Sequence, residues 1–205
     1  MNQRRELVEE VTRQVLAVLA AGGADLGLDN AREAVANGAA RLGYSGNGAD
    51  VPAGLERYID HTVLKPDVPP DQIDRLCDEA MQYHFAAVCI NPVWVRRAAQ
   101  RVRGSKVKVA SVVGFPLGAN VPEIKAMEAR RAIRDGAREI DMVINIGALK
   151  GGDHDLVRRD IAGVSDACRE VGALNKVIIE AAYLTDEEKV VACRLAQLAR
   201  ADFVK

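Results

Sequence analysis

The sequence predicts an α/β fold with a parallel sheet, most simply an incomplete (β/α)8 barrel, and three observations point there. From about residue 53 onward, short β-branched runs recur that are nearly continuous in apolar character rather than alternating. Strands read this way when both of their faces are covered, as in parallel sheets. Amphipathic stretches of helical period separate the runs, at a strand-to-strand spacing of roughly 20–35 residues, the length of a βα unit. Polar residues gather at the C-terminal ends of the runs: Asp60, Thr62, Asn91, Asp141, Asn145, Glu180 and Lys205. Barrels collect their catalytic groups at those ends. A doubly wound sheet is the competing topology. It is disfavoured because no G-x-G-x-x-G follows any of the runs. Six βα units are visible, two strands short of closure.

Residues 4–20 place Leu7, Val8, Val11, Val15, Val18 and Leu19 on one face at helical spacing. Gly22 and Gly23 end that helix. Packing on its own domain is the simpler role for it, with docking or oligomerisation as the alternative. Residues 21–52 form a Gly-, Ala- and Asn-rich linker with one short helix at 31–41 and breakers at Gly46-Asn47-Gly48 and Pro52. The chain thus divides into an N-terminal helix and linker, 1–52, and a partial barrel, 53–205.

Within the barrel the predicted strands are Tyr58–Asp60, Ala86–Ile90, Lys108–Val113, Glu139–Ile144, Lys176–Glu180 and Ala201–Lys205. The predicted helices alternate with them. Pro69–His84 carries Ile73, Leu76, Cys77 and Met81; Pro92–Val102 carries Val93, Val95 and Ala99. Val121–Asp135 is closed by Gly136, a residue type favoured just past a helix end. Asp155–Val171 stops at Gly172. Thr185-Asp186-Glu187-Glu188 is a capping box that starts a helix running to about Ala199.

Composition excludes several function classes. The 205 residues are 49% hydrophobic with a formal net charge of −1. A chain of that size buries a substantial core. The charge balance and the lack of a basic run argue against nucleic acid or a membrane surface as partner. No stretch is long and apolar enough to span a bilayer, and the N-terminus lacks the apolar segment of a signal peptide. Cys77, Cys89, Cys168 and Cys193 lie far apart, as expected of reduced thiols in a cytoplasmic protein. His61, His84 and His154 show no metal-ligand spacing.

The strand ends supply the chemistry. In a barrel, Asp141 and Lys205 converge on one cavity. A lysine ending an apolar strand is expected to be desolvated, which lowers its pKa. A neutral amine there attacks a carbonyl and forms a Schiff base. A carboxylate such as Asp141 relays protons through the carbinolamine and imine. The same carboxylate opposes the lowered lysine pKa, so a further cation is needed, and none is evident in the sequence. Each residue also has a structural alternative: Lys205 as a solvated tail, Asp141 as a buried strand aspartate, Cys89 as a small core residue, Glu180 as a loop cap. Gly151-Gly152 reads as a loop.

The motifs Ile59-Asp60-His61-Thr62-Val63-Leu64-Lys65-Pro66-Asp67, Val88-Cys89-Ile90-Asn91-Pro92, Ser111-Val112-Val113-Gly114-Phe115-Pro116-Leu117-Gly118, Glu139-Ile140-Asp141-Met142-Val143-Ile144-Asn145-Ile146-Gly147 and Ala201-Asp202-Phe203-Val204-Lys205 occur in this order. Together they resemble the deoxyribose-phosphate aldolases, class I aldolases on a (β/α)8 TIM barrel, from about residue 55 to the end. The resemblance implies reversible cleavage of 2-deoxyribose 5-phosphate to glyceraldehyde 3-phosphate and acetaldehyde, with no metal and no cofactor. It implies Lys205 as the Schiff-base lysine and Asp141 as the proton relay. Asp60, Thr62, Cys89, Phe115 and Asn145 then line the substrate. It further implies that the sequence is truncated after the sixth strand, before the family's second catalytic lysine and its phosphate-binding glycines and serines. The missing lysine would be the absent cation, and the chain alone is expected to be inactive or severely impaired. Ala181-Ala182 stands where the family usually has Thr after the glutamate.

Two other functions stay open at this point. One is a Schiff-base aldolase of different aldehyde specificity. The other is an inactive fragment that persists by self- or partner association, and a homo-oligomer is compatible with each reading.

Overall fold

The computed structural model describes residues 54–205. The predicted helix at 4–20, the linker and the short helix at 31–41 lie outside the described residues. A 3-10 turn at Leu55–Tyr58 leads into six strands: β1 (Asp60–Val63), β2 (Ala87–Ile90), β3 (Lys108–Val113), β4 (Glu139–Val143), β5 (Leu174–Ile178) and β6 (Phe203–Val204). They form one sheet in the order β1-β2-β3-β4-β5-β6, and every neighbouring pair is parallel. Sequential parallel order with a crossover between each pair is the connectivity of a (β/α)8 barrel, here with six of its units.

The crossovers carry α1 (Pro70–Gln82), α2 (Val95–Arg101), α3 (Pro122–Asp135), α4 (Ile146–Lys150), α5 (His154–Arg169) and α6 (Asp186–Leu198). Proline in the first turn starts α1 and α3, where the missing N–H has no intrahelical partner to lose. The capping box read from the sequence starts α6: Thr185 Oγ1 accepts from the Glu188 amide at 3.2 Å and Glu188 Oε2 accepts from the Thr185 amide at 2.8 Å. Gly136 closes α3 at φ 121, a conformation that side chains resist.

Several boundaries differ from the sequence reading. Residues 55–58 form a turn, and β1 starts at Asp60 instead of Tyr58. Pro92–Val102 splits into a 3-10 turn, Pro92–Trp94, followed by α2. The segment after β4 forms the short helix α4, which no periodicity announced. β5 begins at Leu174, two residues before Lys176, and this shift matters for the site.

The two faces of the sheet have different cores. Val88, Ile90, Val109, Val113, Ile140, Met142, Ile144 and Val177 pack against the helices in one large apolar cluster. The opposite face carries a small cluster of Ala87, Cys89, Ala110 and Val112, with Leu64 against it. Buried charge sits in the sheet beside it: Glu139, Asp141 and Lys176 are each less than a tenth exposed.

Candidate active site

Asp141 is the centre of the arrangement. It lies in the middle of β4, in register with Val112 of β3 and Lys176 of β5, and its side chain is wholly buried. An isolated buried carboxylate would be costly. Three groups surround this one. Lys205 Nζ donates to Asp141 Oδ2 at 2.7 Å. Cys89 Sγ lies 3.7 Å from the same oxygen. Lys176 Nζ stands 3.5 Å from Asp141 Oδ1. Lys176 also pairs with Asp60 Oδ2 at 2.6 Å and Glu139 Oε2 at 2.5 Å. The Asp60 contact reaches from β5 to β1, so the sheet curls until the inward side chains of its first and fifth strands touch. The backbone of Lys205 completes the β5–β6 ladder, its N–H donating to Val177 O at 2.7 Å and its carbonyl accepting from Ile179 N at 3.0 Å.

The structure therefore brings Lys205, Asp141, Cys89 and Asp60 into one connected group. Asp60 opens β1 instead of ending it as the sequence reading had it, because the turn at Leu55–Tyr58 delays the strand. The other named residues have different roles. Thr62 Oγ1 donates to the Asp60 carbonyl at 2.9 Å. Asn145 caps α4, its Oδ1 accepting from the Ala148 amide at 3.0 Å. Phe115 lies on the loop that follows β3 and is partly exposed. Glu180 follows β5 with a left-handed φ of 51, and its carbonyl accepts from the Tyr183 amide, so it shapes a turn.

Two expectations need correction. Lys205 is neither fully sheltered nor lowered in pKa: its side chain is 43% exposed. Burial alone would lower its proton affinity, but the hydrogen bond and charge of Asp141 outweigh burial and raise it. The missing cation is also present within the chain. Lys176 faces the Asp141–Lys205 pair, and its charge works to lower Lys205. Sequence reasoning overlooked it because starting the strand at Lys176 put that lysine at the far end from the cavity. Burial works to lower Lys176 too, but the charge of Asp141 and the hydrogen bonds to Asp60 and Glu139 more than reverse this and hold it protonated. Burial, with the Asp141 charge adding to it, pushes the Cys89 thiol up to about 12, so it stays a neutral wall of the site. No cluster of three or more His, Cys, Asp or Glu suited to a metal ion occurs among the described residues.

The family description "DeoC/LacD family aldolase" matches residues 56–205. The chain belongs to this aldolase family. The deoxyribose-phosphate aldolase of Streptococcus gordonii is 58% identical over 151 residues, covering 74% of this chain and 68% of that protein. The deoxyribose-phosphate aldolase of Thermococcus gammatolerans is 58% identical over 153 residues, with the same shares. Among solved structures, a protein from Coccidioides immitis assigned as a deoxyribose-phosphate aldolase is 41% identical with a TM-score of 0.71, and covers 73% of this chain and 58% of its own. The tetrameric deoxyribose phosphate aldolase of Aeropyrum pernix is 31% identical with a TM-score of 0.69, over 73% of this chain and 62% of that one. The chain thus spans about two thirds of the curated relatives and less of the solved ones. These similarities fit the six-unit partial barrel, and no helix among the described residues is long and apolar enough to cross a membrane.

Proposed function

We propose that this chain carries the Schiff-base half of a deoxyribose-phosphate aldolase site, acting on 2-deoxyribose 5-phosphate. The observation that carries the reading is the 2.7 Å contact between the Lys205 amine and the wholly buried Asp141 carboxylate. In the resting pair Lys205 is an ammonium. Asp141 takes its proton as the amine attacks C1 of the open-chain sugar aldehyde, so no free neutral lysine has to persist beforehand. Returning a proton to the carbinolamine oxygen releases water and leaves an iminium. Removal of the C3 hydroxyl proton then breaks the C2–C3 bond. Its electron pair moves into the iminium to give an enamine, and glyceraldehyde 3-phosphate departs. Protonation of the enamine carbon and addition of water release acetaldehyde and restore the lysine.

Lys176 has a supporting electrostatic role. It stays protonated and faces the pair, where its charge works against the ammonium form of Lys205. Asp60 and Glu139 hold Lys176 in place. A cytoplasmic setting fits the four unpaired cysteines. A homo-oligomer fits the tetramer formed by the Aeropyrum pernix relative.

The test is borohydride trapping of acetaldehyde in the parent chain and in Lys205→Met. Trapping that depends on Lys205 supports the reading; equal trapping by both proteins, or none by the folded parent, contradicts it.

A further inference from the structure

A second ion pair lies away from Lys205, and it is buried more deeply. Lys125, in the first turn of α3, and Asp160, on α5, have side chains 0% and 1% exposed, with Lys125 Nζ 2.5 Å from Asp160 Oδ2. Burial works to lower the lysine and to raise the carboxyl, while each partner's charge opposes this. Replacing such a pair by apolar residues is often neutral or stabilising, so stability is a weak reason for having one.

Its neighbours give a better reason. Lys125 Nζ also donates to the carbonyl of Val143, at 2.8 Å. Val143 ends β4 and lies two residues beyond Asp141. The Asn145 backbone helps hold the Asp160 carboxylate in its charged form. The stem of Lys125 runs beneath Gly114, where a Cβ would come within 2.8 Å of its Cε, at a backbone φ of +63. The Gly114 amide donates to Glu128 Oε2 of α3 at 2.8 Å. Further along this loop, a Cβ on Gly118 would stand 1.8 Å from the Ile144 carbonyl oxygen. The loop that carries Phe115 is therefore pressed onto the end of β4, and the Lys125 ammonium lies under both.

We infer that Lys125 and Asp160 are a positioning pair. They fix the end of β4 so that the Asp141 carboxylate meets Lys205, and they seat the loop at Gly114–Gly118 against that end. Neither touches the reacting atoms. The inference rests on the aldolase reading above.

The test compares the parent with the double variant Lys125→Met/Asp160→Leu and with the isosteric Asp160→Asn. The main readout is the pH dependence of borohydride trapping of acetaldehyde on Lys205, measured alongside the melting temperature. The double variant is expected to melt at or above the parent temperature. It should trap about tenfold or more slowly, with a displaced pH midpoint, because small misplacements of a reacting group are costly and the Val143 carbonyl has lost its donor. Parent-like melting with a parent-like rate and midpoint would overturn the inference. If the double variant does not unfold cooperatively, Asp160→Asn decides by the same criteria. If the parent itself traps no acetaldehyde, the aldolase reading fails, and amide exchange decides this inference instead. Exchange at Gly118 and Ile144 should then be about tenfold faster in Asp160→Asn than in the parent, relative to the rest of the sheet; unchanged exchange there would overturn it.

Discussion

Replacing Lys176 by methionine removes the cation shared by Asp60, Glu139 and Asp141, whose oxygens lie 2.6, 2.5 and 3.5 Å from its Nζ. The side chain is only 10% exposed, so water replaces little of what is lost. Removing one partner of a buried pair costs about 3–5 kcal/mol. For a domain of this size that corresponds to a drop in Tm of about 6–20 °C. The sign of the pH dependence is also fixed. In the parent, the raised pKa of Lys176 means that its stabilising contribution is fully present below the ordinary lysine range and fades only as pH climbs through the raised value. Around neutral pH this group therefore contributes a constant amount. In the variant Asp60 and Glu139 lose the cation they share and Asp141 keeps only Lys205, so taking up a proton relieves the three carboxylates in the folded state but not in the unfolded chain. The deficit must grow as pH rises from the carboxylate range toward neutrality. Urea unfolding of parent and variant at pH 5 and pH 8 measures both. The stability gap should be wider at pH 8 than at pH 5. A gap independent of pH, or one below about 1 kcal/mol throughout, would refute the reasoning.

Asp141→Asn removes the hydrogen bond and charge that do most to raise Lys205 and leaves burial and Lys176, which lower it. The pH midpoint of acetaldehyde trapping should move downward while deoxyribose phosphate turnover falls by about 10²–10⁴, the usual value of a positioned proton-transfer group; a pH series of trapping and of turnover checks both. In the folded protein iodoacetamide should modify the exposed Cys193 first, because Cys77, Cys89 and Cys168 are buried and their thiols are pushed up to about 11, 12 and 12. Peptide mass mapping after alkylation at pH 8 reads the order. Thr185→Ala removes the capping hydroxyl of α6 and should destabilise by about 1 kcal/mol without moving the pH profile of trapping. Urea unfolding beside a trapping series separates the two effects.

Much of the barrel was legible because burial on both faces leaves a plain mark. The β4 run Glu139-Ile140-Asp141-Met142-Val143 is buried throughout, and its two acids are conspicuous for that reason. Thr185 and Glu188 announced the start of α6 through their spacing alone. The short helix α4 was not legible, because five residues give too little periodicity to read. Lys176 was missed because of a two-residue error at the start of β5. A strand beginning at Lys176 exposes that lysine at the wrong end of the barrel, whereas a strand beginning at Leu174 sets it beside Asp141, and the Leu174-Asn175-Lys176 opening gives no β-branched signal to choose between them. Lys125 and Asp160 were hidden for a different reason. On amphipathic helices charged residues are read as solvated, and only the close approach allowed by Gly114 shows that this lysine points inward.

The most direct measurement is the site of covalent capture. The folded chain is treated with limiting acetaldehyde and borohydride, digested, and its peptides are weighed. An ethyl group concentrated on Lys205, ahead of the exposed lysines, is the predicted result. Ethylation spread over surface lysines in proportion to their exposure, with Lys205 not favoured, would contradict the claim that the buried Asp141 carboxylate makes this amine the reacting group.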